Sequence, residues 1–121
     1  MSAAERVWIV DDDQSIRWVL SRALEAADMQ VTAFETAESL LDRLTGERPD
    51  AIVTDLRMPG MSGVSLLENI GSVEPQVPVI IMTAYSDLDS AVSAYRAGAF
   101  EYLPKPFDVD DAVQLVRRAI K

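Results

Sequence analysis

The sequence predicts a single α/β domain over residues 1–121, with a doubly wound (βα)5 fold and a parallel sheet in the order 2-1-3-4-5. Five short apolar runs alternate with five helical patterns along the chain. The central runs are apolar throughout, which is typical of strands buried on both faces of a parallel sheet. Strict alternation of strands and helices gives right-handed crossovers, and 2-1-3-4-5 is a common order for five strands.

Each predicted strand is a short apolar run with polar or turn residues on both sides. Runs of about 4–8 residues have the length of strands, since helices need about ten residues or more. Three runs rich in Val and Ile form the centre of the predicted sheet, and two weaker runs flank them. In chain order, the predicted strands are 7–10, 29–34, 51–54, 79–82 and 100–103.

The first two helices are predicted from apolar spacing and capping residues. The first carries one apolar stripe at helical spacing, formed by Ile16, Val19, Leu20, Ala23, Leu24 and Ala27. Thr36 is a typical N-cap for the second helix, which ends before Gly46 and Pro49. The apolar residues of this second helix are Leu40, Leu41 and Leu44.

Turn residues and caps also predict the three remaining helices. The third runs over about 64–70 between two glycines. Ser86 and Asp89 resemble a capping box that opens the fourth helix, which we expect to stop at Gly98. The fifth opens at Asp108, with acidic residues near its start and basic residues near its end, as the helix dipole favours.

The composition excludes several classes of protein. Hydrophobic residues make up 49% and charged residues 26%, as in a globular rather than a disordered chain. The net charge of −9 repels nucleic acid and anionic lipid, so we expect neither as a direct partner. The absence of Cys and His excludes disulfides, thiolate zinc sites and imidazole chemistry. Without a membrane-length apolar run or signal peptide, we expect a cytoplasmic location.

Acidic residues follow two strands that should be neighbours at the centre of the sheet. Asp11, Asp12 and Asp13 follow the first strand, and Asp55 follows the third. In this strand order, ligands bind at the carboxyl ends of these two strands. Two carboxylates about 4 Å apart repel by about 4 kcal/mol at an effective dielectric of about 20, which a divalent cation relieves. Few oxygen ligands, partly open to water, suit Mg²⁺ and therefore phosphate chemistry.

Two further residues should reach the same edge of the sheet. Thr83 ends the fourth strand and Lys105 follows the fifth. With the acids and a metal, they supply what phosphoryl transfer needs, namely an oxygen nucleophile and groups that neutralise the phosphoryl oxygens. An Asp that accepts the group becomes an acyl phosphate.

The loop after Asp55 is a tight turn rich in Pro and Gly. Such a turn brings the carbonyl of Arg57 back near Asp55, where it could complete a metal shell. A cis bond between Lys105 and Pro106 would aim the amine inward, but the sequence leaves the choice between cis and trans open.

The ordered combination of these residues resembles the receiver domain of bacterial two-component response regulators, over essentially the whole chain. The matching residues are Asp11, Asp12, Asp55, Thr83, Ala84, Tyr102, Lys105 and Pro106. Longer stretches are similar to the nitrogen-regulatory NtrC type within that family, at residues 15–20, 57–61 and 79–108. One departure is Tyr85, which stands where this resemblance leads us to expect His.

The resemblance implies a role for each matching residue. Asp55 would accept a phosphoryl group from a phosphohistidine of a sensor histidine kinase. Mg²⁺, for which Mn²⁺ can substitute, would be ligated by Asp12, Asp55 and the Arg57 carbonyl, and by Asp11 through water. Thr83 would hydrogen-bond one phosphoryl oxygen and Lys105 would pair with another. Asp13 lies outside this matched set, and we expect it to be solvated or to cap the loop.

The resemblance also implies a regulatory domain rather than an enzyme, although it could catalyse its own phosphotransfer and dephosphorylation. Phosphorylation would move Thr83 inward and repack the fourth helix, with Tyr102 as a switch residue. We expect Ala91, Val92 and Ala97 to face the core, so that few contacts resist this movement. The output would be an attached or partner sigma-54 activator, with possible dimerisation on activation. No phosphate-binding GxxxxGK[ST] loop occurs, so we expect an isolated regulatory fragment.

Two other functions are compatible with these residues. In a phosphatase of the haloacid dehalogenase type, Asp11 would be the nucleophile and Asp13 the general acid, but the acid pair expected after Lys105 is missing. In a binding module, the domain would be an inactive receiver or would hold a flavin. Flavin binding is disfavoured because acids occupy the loop where its phosphate needs donors.

Overall fold

The computed structural model describes residues 4–58, 60–84 and 87–120. Its strands are Arg6–Val10 (β1), Gln30–Phe34 (β2), Ala51–Asp55 (β3), Val79–Ala84 (β4) and Glu101–Lys105 (β5). All neighbouring strands pair in parallel, in the order β2-β1-β3-β4-β5. The predicted fold class and strand order are therefore confirmed.

Helices follow the strands and cover both faces of the sheet. They are Gln14–Ala26 (α1), Ala37–Leu44 (α2), Gly63–Val73 (α3), Leu88–Arg96 (α4) and Val109–Ile120 (α5). Buried residues of α1 and α5 pack on one face, whereas those of α2, α3 and α4 pack on the other. Among the described residues, no helix is long and apolar enough to cross a membrane.

Apart from polar residues near their ends, the central strands are apolar because both of their faces are buried. In β1, Val7 and Ile9 pack under α1 and α5, while Trp8 and Val10 pack under α2 and α3. The ring of Trp8 meets that of Phe34 edge-on at 5.4 Å. This two-sided burial fixes the register of β1 against β3 and so places the ends of these strands side by side.

Capping side chains begin the helices as expected in three cases. The side chain of Asp13 accepts from the Ser15 amide at 2.8 Å at the start of α1, which confirms its expected capping role. Thr36 caps α2 by accepting from the Ser39 amide at 3.1 Å. Asp108 precedes α5, and its carboxylate accepts from the Asp110 amide at 2.9 Å.

Two predicted boundaries are wrong by a few residues. Helix α3 continues through Gly71 to Val73, since a glycine lowers helix stability by only about 1 kcal/mol and need not end a helix. Strand β5 begins after Phe100 and extends to Lys105, because Ala84 of β4 still pairs with Lys105. As the edge strand of the sheet, β5 tolerates its one proline, Pro104.

The prediction for α4 needs two corrections. Its N-cap is Asp87 rather than Ser86, which lies outside the described residues. Val92 does not face the core, because its side chain is 49% exposed; Ala94 occupies the buried position instead, together with Ala91. Among the α4 side chains that the structure describes, the buried ones are the small Ala91 and Ala94.

Candidate functional site

Three carboxylates converge at the carboxyl ends of β1 and β3. Asp11 and Asp12 directly follow β1, and Asp55 is the last residue of β3. One carboxylate oxygen from each of the three lies within 4.8 Å of the others. The two strands are direct neighbours, with Val10 opposite Thr54, so sheet register alone produces this convergence. The predicted acidic cluster is present.

Asp11 is the buried member of the cluster. Its side chain is 0% exposed, and its Oδ1 accepts from the Asp13 amide at 2.8 Å. Burial raises the pKa of Asp11, and the neighbouring charge of Asp55 adds to this effect. The hydrogen bond from the Asp13 amide and the positive charge of Lys105 both lower the pKa of Asp11, but they offset this rise only in part.

Lys105 places a cation against the acids from the far side of the site. Its Nζ donates to Oδ2 of Asp11 at 3.2 Å and lies 3.3 Å from Oδ1 of Asp55. Burial alone would lower the pKa of this amine, but the two carboxylates outweigh burial and raise it. The peptide bond between Lys105 and Pro106 is cis. The two contacts direct the Lys105 amine at the acids.

Thr83 and Asp55 line one cleft beside the acid cluster. The cleft has a volume of about 300 Å³. Its lining residues are Asp55, Leu56, Arg57, Thr83, Ala84, Asp87 and Lys105. Thr83 is buried, and its hydroxyl lies 3.4 Å from the Ala84 carbonyl oxygen. A larger groove of about 700 Å³ runs along β5 and α5, but its lining includes neither Asp55 nor Thr83.

The loop after Asp55 is held to the first residue of α3 by a backbone hydrogen bond and a close packing contact. The Gly63 amide donates to the Leu56 carbonyl at 2.8 Å. A Cβ atom on Gly63 would lie 2.7 Å from the backbone oxygen of Asp55 and 2.7 Å from the Cα of Leu56. Only glycine allows this approach, so Gly63 fixes the path of the chain on both sides of Leu56.

Arg57 makes a contact that sequence reasoning missed. Its guanidinium donates from Nε and Nη2 to the two carboxylate oxygens of Asp87, at 2.7 and 3.0 Å. This pairing lowers the pKa of Asp87 to about 2. The two residues are 30 positions apart in the sequence, and no pattern in either segment indicates the contact.

Tyr102 lies away from the acids, on the side of β5 that α4 contacts. Its ring meets that of Tyr95 edge-on at 5.8 Å and packs beside the core. The Tyr95 hydroxyl donates to Glu101, which also lies 3.6 Å from Arg118 of α5. The predicted switch residue is thus part of a contact between α4 and β5. Tyr85 lies outside the described residues.

The donor set fits a hard divalent cation. All three clustered ligands are carboxylates, which is the oxygen chemistry that Mg²⁺ prefers. Asp12 is exposed and Asp55 is partly exposed, so water and a phosphate group could reach the cluster. With Lys105 and Thr83 beside it, the cleft combines a nucleophilic oxygen with donors for developing negative charge.

A family model described as the response regulator receiver domain matches residues 7–117. The chain belongs to this family. The receiver domain is 62% identical over 113 residues to the DNA-binding transcriptional regulator NtrC of Klebsiella pneumoniae, which covers 93% of this chain and 24% of that protein. It is 60% identical to NtrC of Escherichia coli K12 over 94% of this chain. The chain thus spans about a quarter of the length of these relatives.

Solved structures agree with this assignment. The apo receiver domain of nitrogen regulatory protein C, solved in solution, shares 59% identity, with a TM-score of 0.87, over 96% of this chain and 94% of that one. The FixJ-N crystal structure shares 36% identity, with a TM-score of 0.90, over 98% of this chain and 95% of that one. The predicted resemblance to NtrC receiver domains is confirmed.

The placement of Asp11 and Asp13 also bears on the phosphatase alternative. Asp11 is fully buried and tied to the Asp13 amide and to Lys105, which leaves no open face for in-line attack on a substrate. Asp13 caps α1 rather than facing the cleft as a general acid. The partly exposed carboxylate that lines the cleft is that of Asp55.

Proposed function

We propose that this receiver domain accepts a phosphoryl group on Asp55 from a phosphohistidine of a sensor histidine kinase. The observation that carries the proposal is the position of Asp55, whose carboxylate is 14% exposed in the cleft and lies 3.3 Å from the Lys105 amine. The described part of the chain is a regulatory domain, and the chemistry is a single covalent exchange on a side-chain oxygen.

In the transfer, a carboxylate oxygen of Asp55 attacks phosphorus in line with the leaving nitrogen. The O–P bond forms as the N–P bond of the kinase breaks, and the bonding electrons return to the imidazole nitrogen. Lys105 and the Thr83 hydroxyl are placed to neutralise the phosphoryl oxygens, which is where charge lies in such transition states. Attack by water on the acyl phosphate later restores Asp55.

The acid cluster supports a Mg²⁺ requirement. Asp12, Asp55 and the Arg57 carbonyl would hold the ion, with Asp11 acting through water, and Mn²⁺ can substitute. The bound ion supplies positive charge to a phosphoryl group that would otherwise meet three carboxylates. The buried Asp11 keeps its place through Lys105 and the Asp13 amide, so it can orient water without moving.

We infer that phosphorylation shifts α4 and its neighbours between two arrangements. Thr83 ends β4, and α4 buries only Ala91 and Ala94 among its described side chains, so a change at Thr83 meets little apolar resistance. Tyr102 would follow through its contact with Tyr95 of α4. In a longer cytoplasmic regulator, this movement would control a transcription-activating output of the sigma-54 type, with dimerisation on activation.

Acetyl phosphate with Mg²⁺ tests the proposal directly, with the mass of the intact protein and of its peptides as readout. We expect one phosphoryl group on Asp55, its loss in Asp55→Asn, and its retention in Asp42→Asn, which makes the same charge change at an exposed position of α2. Modification of Asp11 would support the phosphatase alternative. An unmodified wild-type protein, also unreactive with a panel of phosphorylated histidine kinases, would indicate a docking module.

A further inference from the structure

We propose that Arg57 is a positioning residue that couples the metal ligands to the start of α4. This inference rests on the proposed function, in which the Arg57 carbonyl is a ligand of Mg²⁺. The side chain of the same residue holds Asp87, the N-cap residue of α4. One residue thus joins the two parts of the domain that must communicate.

The contact between the two side chains is bidentate. Nε of Arg57 lies 2.7 Å from Oδ2 of Asp87, and Nη2 lies 3.0 Å from Oδ1. Two parallel hydrogen bonds fix the orientation of the guanidinium plane relative to the carboxylate plane as well as the distance between them, which a single hydrogen bond does not. The Asp87 side chain is only 13% exposed, so one end of the pair is held in the protein.

The Asp87 side chain stands between Arg57 and the first turn of α4. An Asp at this position ordinarily accepts from a backbone amide of its own helix. Here both carboxylate oxygens pair with Arg57, and hydrogen bonding to Ser90 in the first turn of α4 adds to the lowering of the Asp87 pKa. The Asp87 backbone links β4 to α4, since its amide donates to Ala84 and its carbonyl accepts from Ala91. The carboxylate therefore controls where the helix begins.

The loop that carries Arg57 is held firmly on its other side. The Leu56 amide donates to the Met82 carbonyl at 3.0 Å, and the Gly63 amide donates to the Leu56 carbonyl at 2.8 Å. On the other side, the pair between the Arg57 side chain and Asp87 adds a further tie on this loop. Holding the guanidinium on Asp87 thereby restricts where the Arg57 carbonyl points.

Positioning and simple charge effects predict opposite results for one variant. Arg57→Gln removes a positive charge near the acids, which by Coulomb's law alone would strengthen cation binding. If the side chain positions the carbonyl, the same change weakens binding. Asp87→Ser removes the ion pair but keeps a good N-cap residue. The double variant restores the net charge, so any weakening that persists in it is not electrostatic.

The experiment measures Mg²⁺ affinity of the 121-residue chain by calorimetry, and amide hydrogen exchange in the first turn of α4 with and without Mg²⁺. We expect Arg57→Gln, Asp87→Ser and the double variant each to weaken Mg²⁺ binding by about three- to fivefold. The effect is modest because exposed ion pairs contribute little free energy. The double variant should be no weaker than the single ones, because both changes remove the same contact. Mg²⁺ should slow exchange in α4 of the wild type but not of these variants.

Arg48→Gln is the matched control. Arg48 forms an exposed pair with Glu74 at 3.8 Å, near the amino ends of β3 and β4 and thus at the opposite edge of the sheet. This variant should bind Mg²⁺ as the wild type does. Unchanged or tighter binding by Arg57→Gln would overturn the inference and leave phosphorylation of Asp55 intact. A wild-type protein that does not bind Mg²⁺ would instead overturn the proposed function.

Discussion

Lys105 Nζ lies 3.3 Å from Oδ1 of Asp55, although the two residues end strands that are not neighbours. β4 lies between β3 and β5, so the amine reaches across the end of the intervening strand. A long, flexible side chain with a compact charge is suited to this reach. The contact ties the edge strand to the centre of the site and explains why a lysine, rather than a shorter donor, occupies this position.

Asp55→Asn should abolish phosphorylation while leaving the fold at least as stable as the wild type. The substitution removes one of the like charges that face Asp11, while Lys105 keeps its bond to Asp11. In the absence of metal, we expect a gain of up to about 1 kcal/mol in the free energy of unfolding. Chemical denaturation measures it, with Asp42→Asn as the control, and marked unfolding of Asp55→Asn would contradict this account.

Lys105→Met should destabilise the metal-free protein by about 1–3 kcal/mol at neutral pH, because it leaves the buried carboxylate of Asp11 without its cation. The deficit should shrink as the pH falls through the raised pKa of Asp11, since the protonated form needs no partner. Denaturation in the presence of a chelator at several pH values measures it. Adding Asp11→Asn should recover most of the loss; strictly additive effects would show that the pair is not coupled.

Tyr95 should lose its hydroxyl proton at an unusually high pH. Burial, together with the bond to the Glu101 carboxylate, raises the pKa of Tyr95 to about 12. Because the folded state holds this proton more tightly than the unfolded chain, its contribution to stability is complete below pH 10 and is lost as the pH rises towards 12.

Near-ultraviolet absorbance during an alkaline titration detects the ionisation of Tyr95. The transition at highest pH should disappear in Tyr95→Phe and move to lower pH in Glu101→Gln. An unchanged titration curve in both variants would show that the hydroxyl is not held by this carboxylate. Arg118→Gln, which leaves the hydrogen bond between Tyr95 and Glu101 in place, serves as a control for changes in surface charge.

Two glycines of α3 should respond to alanine in opposite ways. At Gly63 the added methyl group would lie 2.7 Å from backbone atoms of Asp55 and Leu56, so Gly63→Ala should destabilise the protein and displace the Asp55 loop. At Gly71 nothing lies within 4 Å, and alanine should stabilise the helix by up to about 1 kcal/mol. Thermal unfolding compares the pair, and equal midpoints would contradict the close contact at Gly63.

The sequence allowed most of the fold and the acid cluster to be predicted, because both follow from local patterns. Two-sided burial makes the middle of β1, β3 and β4 apolar, and their parallel order then brings Asp11, Asp12 and Asp55 to one edge of the sheet. The caps at Asp13 and Thr36 are equally local. Each of these features depends on residues close together in the chain or on strand order.

Features that depend on distant contacts could not be predicted in this way. The pair of Arg57 with Asp87 joins two loops, and neither carries a pattern that distinguishes it from a solvated surface. The prediction that Val92 faces the core was wrong. Val92 and Ala94 are both apolar, and only packing decides which of them is buried. The isomer of the bond before Pro106 likewise depends on surroundings that a dipeptide does not reveal.

Val92 is 49% exposed on α4, whereas the acids lie at the carboxyl ends of β1 and β3, and this separation has an evolutionary consequence. A substitution at Val92 changes the surface of α4 and leaves the carboxylate cluster as it is. Duplicated copies of such a gene can therefore diverge on this surface while inheriting the same cluster of acids.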